Sequence, residues 1–261
     1  SQRLKNKESH PRLKEMKEKN IKKKRRKKKR YLLKFVLLLA LGVGVYYFIS
    51  SPLFDVGKLT VIDNKYYTAQ QVIGIAEARV GVNLFKAPTA EMKDKLLNDA
   101  YIKNAKISRK LPDELIITIE ERSEAACVPY GDQFIIIDKE GMILRQTDVE
   151  PALTLFTGMT LTNIQIGTPL EVEENSMLSG TLELLESMEE HELFFKRIEF
   201  SNIVIKAYIY DSLICEGSPE NILKSMDDLE DVLYDLYIQG IERGVIKVGG
   251  DGYYSFSALV E

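Results

Sequence analysis

The sequence has no tryptophan, and only two histidines and two cysteines among its 261 residues. His10 lies in a basic N-terminal stretch, so any Cys–His or Ser–His–Asp constellation would have to use His191. His191 sits in Glu189-Glu190-His191-Glu192, a polar cluster at an expected helix end, where a solvated side chain is anticipated. Gly249-Gly250-Asp251-Gly252 is not followed by Gly-Lys-Ser/Thr or by a helix, so it reads as a hairpin connection rather than a phosphate loop. Carboxylates are abundant on an acidic chain, but abundance does not single out a catalytic pair. The expectation is a protein that binds rather than catalyses, with no cofactor and no metal site. Cys127 and Cys215 stand in apolar, strand-like contexts, which suit either unpaired core thiols or one disulfide.

Charge is the next thing to be missing, and it is missing locally. Phe35–Ile49 contains no charged residue, and Tyr31–Ile49 contains one, Lys34. As a helix those 19 residues would span roughly 28 Å, close to the hydrocarbon thickness of a bilayer. Lys34 can snorkel to the headgroups, and Tyr46 and Tyr47 suit the opposite interface. A cleaved signal peptide would have a shorter apolar core and a small-x-small site, and Ile49-Ser50-Ser51-Pro52 is a poor one. Directly before the run stand Lys22, Lys23, Lys24, Arg25, Arg26, Lys27, Lys28, Lys29 and Arg30. Residues 1–30 hold 16 Lys/Arg against 3 Asp/Glu, whereas residues 31–261 hold 20 against 36. The near-neutral total is therefore a basic tail added to an acidic body. Charge alone would also permit nucleic acid as the tail's partner. Its attachment to a membrane helix favours anionic headgroups instead, at about 1 kcal/mol per residue near the surface. The Lys/Arg bias orients residues 1–30 to the cytoplasm and residues 50–261 outside.

The outer region reads first as strand, helix, helix, strand, strand. Val56–Asp63 alternates as a strand. Thr68-Ala-Gln-Gln71 is a capping box, with Tyr67 and Val72 at hydrophobic-staple spacing, and its helix runs to about Ala78. A second helix starts near Pro88–Thr89 and ends near Asp99, with Met92, Leu96 and Leu97 on one face. Tyr101–Arg122 reads as a hairpin turning at Pro112-Asp113, with Ala105, Ile107 and Leu111 on one arm and Leu115, Ile117 and Ile119 on the other facing inward. Beyond it, Ala125–Val128 and Gln133–Asp138 read as strands around a Tyr130-Gly131-Asp132 turn. A helix after Asn175 turns Leu178, Leu182, Leu185 and Met188 inward, and strands follow at Phe194–Phe200, Val204–Tyr210 and Leu213–Glu216. Ser218-Pro219-Glu220 starts another helix, which carries Ile222, Met226, Leu229, Leu233 and Leu236 on one face up to Gly240. Two strands close the sequence, Gly244–Val248 and Tyr253–Leu259.

A β-α-α-β-β pattern directly after one apolar helix resembles the POTRA domain of the FtsQ/DivIB family of bacterial cell-division proteins. The string that carries the resemblance is Tyr101-Ile102, Ala105-Lys106-Ile107, Arg109, Leu111-Pro112-Asp113-Glu114-Leu115 and Ile119-Glu120-Glu121-Arg122. Gly81-Val82-Asn83-Leu84-Phe85 is similar to the family's Gly-x-Asn-Leu-Phe. Asp138-Lys-Glu-Gly141-Met-Ile-Leu, Leu153–Gly158 and Gly167 resemble pieces of its second domain. Ala100 stands where proline is frequent, and no proline closely follows Arg122. The expected fold is α+β, with a basic tail over 1–30, a transmembrane helix over 31–50, a POTRA domain over 51–122 and a β-rich domain with two packing helices over 123–261.

The resemblance implies a divisome scaffold in the cell membrane, enriched at the septum. Its partners would be FtsL and FtsB/DivIC, with septal peptidoglycan synthases beyond them. It would couple the cytoplasmic division ring to septal peptidoglycan synthesis. Two other classes are compatible with the residues: a membrane-anchored cell-wall enzyme, and a POTRA module handling secreted polypeptides. The last strand, ending near Glu261, is expected to leave a free edge, blunted by neither Lys nor Pro. A partner strand would pair along Tyr253, Tyr254, Ser255, Phe256 and Ser257, beside Ile246, Lys247 and Val248. In the family an acidic residue is common where Val245 stands. Replacing most of Lys22–Arg30 by Gln should produce mis-oriented chains. A Cys introduced at Ser9 would then react with an impermeant reagent on intact cells, which it should not do in the parent chain.

Overall fold

The computed structural model describes residues 11–201, 203–250 and 253–258. The chain forms two compact units. Among the described residues the first holds residues 11–58, 79–87 and 109–115, and the second holds the rest.

The first unit begins with helix α1, Pro11–Ile49. Its Tyr31–Ile49 portion has a mean hydropathy of 2.2 and is the one stretch among the described residues long and apolar enough to cross a membrane. Side chains from Tyr31 to Phe48 are all exposed, as a lipid-facing helix requires. The last turn must still satisfy its carbonyls. Ser50 donates its amide to the Tyr46 carbonyl, Ser51 donates to Phe48, and the Asn83 side-chain amide donates to Ile49 at 3.0 Å. A short 3-10 turn at Pro52–Phe54 follows. The segment 79–87 is laid against it by three backbone bonds, Leu84 to Phe54, Val56 to Val82 and Gly81 to Val56, at 2.7–2.9 Å. Arg109 closes the unit by donating from Nε to the Leu84 carbonyl at 2.7 Å and from its guanidinium to Ala87 at 3.0 Å.

Strand β1, Lys58–Ile62, leads into α2, Ala69–Ile75, and α3, Thr89–Leu97. The capping box forms as its sequence predicts, with Thr68 and Gln71 each bonding the other's backbone amide. Strands β2, Ile102–Lys110, and β3, Glu114–Glu121, complete a sheet ordered β1-β3-β2. Val72, Met92, Leu96, Ala105, Ile117 and Ile119 are buried in the second unit. Three expected inward residues are not: Ile107 is half-buried, and two others are exposed. Leu97 lies 100° round the helix from Leu96 and is 39% exposed. Leu111 lies past the end of β2 at the hairpin tip and is 61% exposed.

Next come β4, Ala126–Tyr130, β5, Gln133–Ile137, β6, Ile143–Thr147, and β7, Thr154–Thr157. Two very short strands, β8, Leu161–Asn163, and β9, Glu171–Val172, pair with each other. Helix α4 is Asn175–Glu190, followed by β10, Arg197–Phe200, β11, Ile205–Tyr208, and β12, Ser212–Gly217. The expected single helix after Ser218 is two, α5 at Pro219–Lys224 and α6 at Met226–Ile238. Ser225 breaks it, at φ −108° and ψ 15°, ending one helix and opening the other. The apolar spacing runs through the break, so Ile222, Met226, Leu229 and Leu236 are still buried together. Strands β13, Arg243–Val248, and β14, Tyr254–Ser257, finish the fold.

Nine strands form one sheet in the order β14-β13-β12-β11-β10-β7-β4-β5-β6. Alternate side chains define its faces. Ile198, Phe200, Ile205, Ala207, Leu213, Cys215, Ile246 and Val248 join the core with Leu178, Leu184, Leu185 and Met188 of α4. Each fully buried aliphatic of this kind stabilises by roughly 1.5–3 kcal/mol.

Arg122, at the end of β3, is held by ions from both directions. It pairs with Asp138 at 2.5 Å and Glu140 at 2.8 Å, and Lys103 reaches Glu140 from β2. Two residues on, Glu124 accepts from the Tyr101 hydroxyl at 2.7 Å and from Arg145 through both carboxylate oxygens, at 2.6 and 3.1 Å. The short link 122–125 therefore runs through two ionic clusters. Hydrogen bonds from Arg145, and then from Tyr101, hold the Glu124 carboxyl below its usual range, and Lys103 with Arg122 does the same for Glu140. The stability these carboxylates supply is present above the ordinary carboxylate range and is lost as pH falls through their lowered values. Arg122→Ala leaves Asp138 buried and unpaired, and should lower unfolding stability by about 3 kcal/mol in denaturant titration. Glu124→Gln should flatten the acid limb of the stability curve.

Candidate partner-binding edge

The nine-stranded sheet has two ends, and they are treated differently. At the β6 end, Ile143 donates to the Thr168 carbonyl and accepts from Gly167, while Leu170 donates to Gly141. A chain segment thus covers the start of that edge. At the β14 end, among the described residues, no strand lies on the outer side. Outward amides and carbonyls of an edge strand are a template for another chain.

Among the described residues, strand β14 pairs with β13 alone. The pairs are Val245↔Ser257, Ile246↔Phe256, Lys247↔Ser255 and Val248↔Tyr254. Gly249 donates to the Tyr253 carbonyl at 2.7 Å and closes the hairpin. Asp251 and Gly252 of its connection lie outside the described residues, as does Leu259 of the expected strand.

The pairing sorts the sequence-predicted residues. Ile246 and Val248 face the helices and are buried, so their side chains belong to the core. Phe256 lies beside Ile246 and packs against the same core. Tyr253 is 77% exposed and Tyr254 42%, while Lys247, Ser255 and Ser257 are also exposed. What a partner can meet is the outer backbone of 254–257, two tyrosines and Lys247. Of Lys22, Lys23, Lys24, Arg25, Arg26, Lys27, Lys28, Lys29 and Arg30, the backbone is helical within α1 and the side chains lie outside the described residues.

Sequence reasoning missed the neighbours of Lys247. Across the sheet Lys247 stands beside Glu216, Glu216 beside Lys206, and Lys206 beside Glu199. This alternating-sign row lies on the face opposite the helices, with favourable cross-strand pairs. Next to it, the Arg197 guanidinium lies 3.9 Å from the centre of the Tyr208 ring, and the Tyr208 hydroxyl donates to Glu199 at 3.0 Å. The charges are visible in the sequence, but β12 and β13 run parallel with α5 and α6 between them, so their adjacency is not.

His191 is not the solvated side chain expected. It caps α4, donating from Nδ1 to the Ser187 carbonyl at 2.8 Å and from Nε2 to Asp227 at 2.9 Å. Donation from both nitrogens is the protonated form, and the Ser187 bond followed by the Asp227 bond raises its affinity for the proton. The arrangement joins the end of α4 to the start of α6. Cys127 and Cys215 are both free and buried, and burial pushes the Cys127 thiol up to about 11, far from a nucleophilic thiolate. Among the described residues no three His, Cys, Asp or Glu side chains gather as a metal site.

A profile for the POTRA domain, FtsQ-type, matches residues 54–122. Cell division protein DivIB of Clostridium acetobutylicum is 28% identical over 193 residues, covering 71% of this chain and 76% of that protein. DivIB of Bacillus subtilis is 20% identical over 228 residues, covering 85% and 82%. Cell division protein FtsQ of Zymomonas mobilis is 27% identical over 107 residues, covering 40% and 34%. With one apolar N-terminal helix, a POTRA domain and a β-rich region, the chain is a membrane-anchored protein of bacterial cell division. Its residues 54–122 are an FtsQ-type POTRA domain, and over most of its length it is similar to the DivIB cell-division proteins.

The attachment of β14 depends on one glycine. Gly244 has φ +155°, and a Cβ there would overlap the Phe256 ring and come within 3.0 Å of the Ser257 carbonyl oxygen. Gly244→Ala should force Phe256 out of its seat and cost about 1–3 kcal/mol in thermal or chemical unfolding. Amide exchange over Tyr254–Ser257 should accelerate ahead of the rest of the sheet.

Proposed function

We propose that this protein is a non-enzymatic divisome scaffold whose β14 edge receives a strand from FtsB/DivIC. FtsL is held in the same complex, and the assembly links the cytoplasmic division ring to septal peptidoglycan synthesis. The observation that carries the reading is that, among the described residues, no strand lies outside β14, in a sheet whose other edge is partly covered. A partner strand paired there gains a ladder of backbone bonds, while Tyr253 and Tyr254 offer aromatic surface of the kind that dominates interfaces. Lys247 supplies a charge for an acidic partner residue. The tail Lys22–Arg30 faces the cytoplasm and anionic lipid, and residues 50–261 work outside the membrane, at the septum. An enzyme reading would need a free base and a nucleophile. His191 has both nitrogens engaged, and both thiols are buried.

Partner capture by the purified full chain tests the reading. Truncation before Tyr253, or Tyr254→Lys at the exposed position, should abolish binding of FtsB/DivIC while circular dichroism stays that of the parent. A folded truncated chain that captures this partner at undiminished affinity would move the site elsewhere.

A further inference from the structure

The end of the membrane helix is physically tied to one loop of the first unit. Asn83 makes the tie with both ends of its side chain. Its Nδ2 donates to the Ile49 carbonyl at 3.0 Å, and its Oδ1 accepts from the Phe85 amide at 3.1 Å. Ile49 is the last residue of the apolar span. A group within hydrogen-bonding distance of its carbonyl therefore sits where hydrocarbon gives way to headgroups, a layer about 5–7 Å deep on each side of a bilayer. Aromatic contacts repeat the connection. The Phe48 ring in the helix meets Phe54 at 5.3 Å, and Phe54 meets Phe85 at 5.3 Å, both edge-on.

The residues that face outward at this place are the wrong kind for water. Leu53 is 58% exposed and Phe85 43%, while Phe54 and Leu84 between them are buried. Lys86, next to Phe85, is exposed. The loop is not free to fold these side chains away. Leu84 is bonded to Phe54, and Arg109 grips the carbonyls of Leu84 and Ala87 on either side of Phe85 and Lys86. A rigid pair of apolar side chains beside a lysine, fixed to the last turn of a membrane helix, has the chemistry of an interfacial anchor.

We propose that Leu53, Phe85 and Lys86 form a second membrane contact, the apolar pair entering the boundary between acyl chains and headgroups and Lys86 meeting lipid phosphate. The anchor would make the first unit a part of the membrane surface rather than a body on a loose stalk. The inference rests on reading Tyr31–Ile49 as a membrane span.

Single cysteines at Leu53, Phe85 and Lys86, each in the full chain, test it. The native thiols are buried, so an environment-sensitive dye goes to the introduced one. The labelled chains are reconstituted into phosphatidylcholine–phosphatidylglycerol vesicles carrying a quencher either near the headgroup or near the chain end. Val43→Cys, inside the span, serves as the reference. Leu53 and Phe85 labels should shift to the blue and lose fluorescence most to the shallow quencher, and the Val43 label most to the deep one. The Lys86 label should be quenched by the shallow quencher alone. Full quenching at Val43 with none at Leu53 and Phe85 would overturn the anchor and leave the span intact. No quenching at Val43 would sink the span itself. A blue shift at Phe85 that grows with protein density but ignores both quenchers would mean that a second copy covers the surface, and would equally overturn the proposal.

Discussion

A sheet that does not close on itself leaves the outer amides and carbonyls of its last strands without partners. Nine strands make that requirement unavoidable here. The β6 end meets it internally, through Gly167 and Thr168 on Ile143. Among the described residues, the β14 end has β13 on its inner side and no strand on its outer side. Water can solvate such an edge, and it can equally template a strand from another chain. The core behind it is committed to holding that edge in place. Phe256 sits over Gly244, and Ile246 and Val248 lock β13 under the helices.

The residues that mark the family in the sequence turn out to be the joints of the molecule. Asn83 ties the end of the membrane helix to its neighbouring loop. Arg109 holds that loop from the hairpin arm. Arg122 closes the POTRA segment onto Asp138 and Glu140, two residues before Glu124 meets Arg145 and Tyr101. None of the three is a group for chemistry. Asn83 and Arg109 satisfy backbone carbonyls, and Arg122 pairs with the buried carboxylate of Asp138 and the exposed one of Glu140. Asn83 and Arg122 are half-buried and Arg109 is exposed, so these joints hold through directed hydrogen bonds and ion pairs rather than through burial of the side chain itself.

Regular periodicity was readable wherever it was long enough. The apolar run to Ile49, the Thr68–Gln71 capping box and the alternation of Leu115, Ile117 and Ile119 all have local causes and appear as expected. β8 and β9 span three and two residues, too few to show a period of two. The break at Ser225 is hidden because the apolar spacing passes through it unchanged. At the candidate site the strand itself was legible from the sequence. Its side-chain facing was not, because Phe256 is assigned to the core only by its pairing with Ile246. The row Lys247, Glu216, Lys206, Glu199 exists only once four strands are set side by side. Long-range adjacency, especially across the parallel β12–β13 step, has no local signature.

The central claim is that β14 is an unfilled half of a strand pair. Residue-resolved amide exchange on the full chain in lipid, with and without FtsB/DivIC, reads it directly. In an edge strand alternate amides point outward and exchange freely. On addition of the partner the outward amides of Tyr254–Ser257 should become as slow as those of β13. Saturating partner with β14 exchange unchanged would contradict the account.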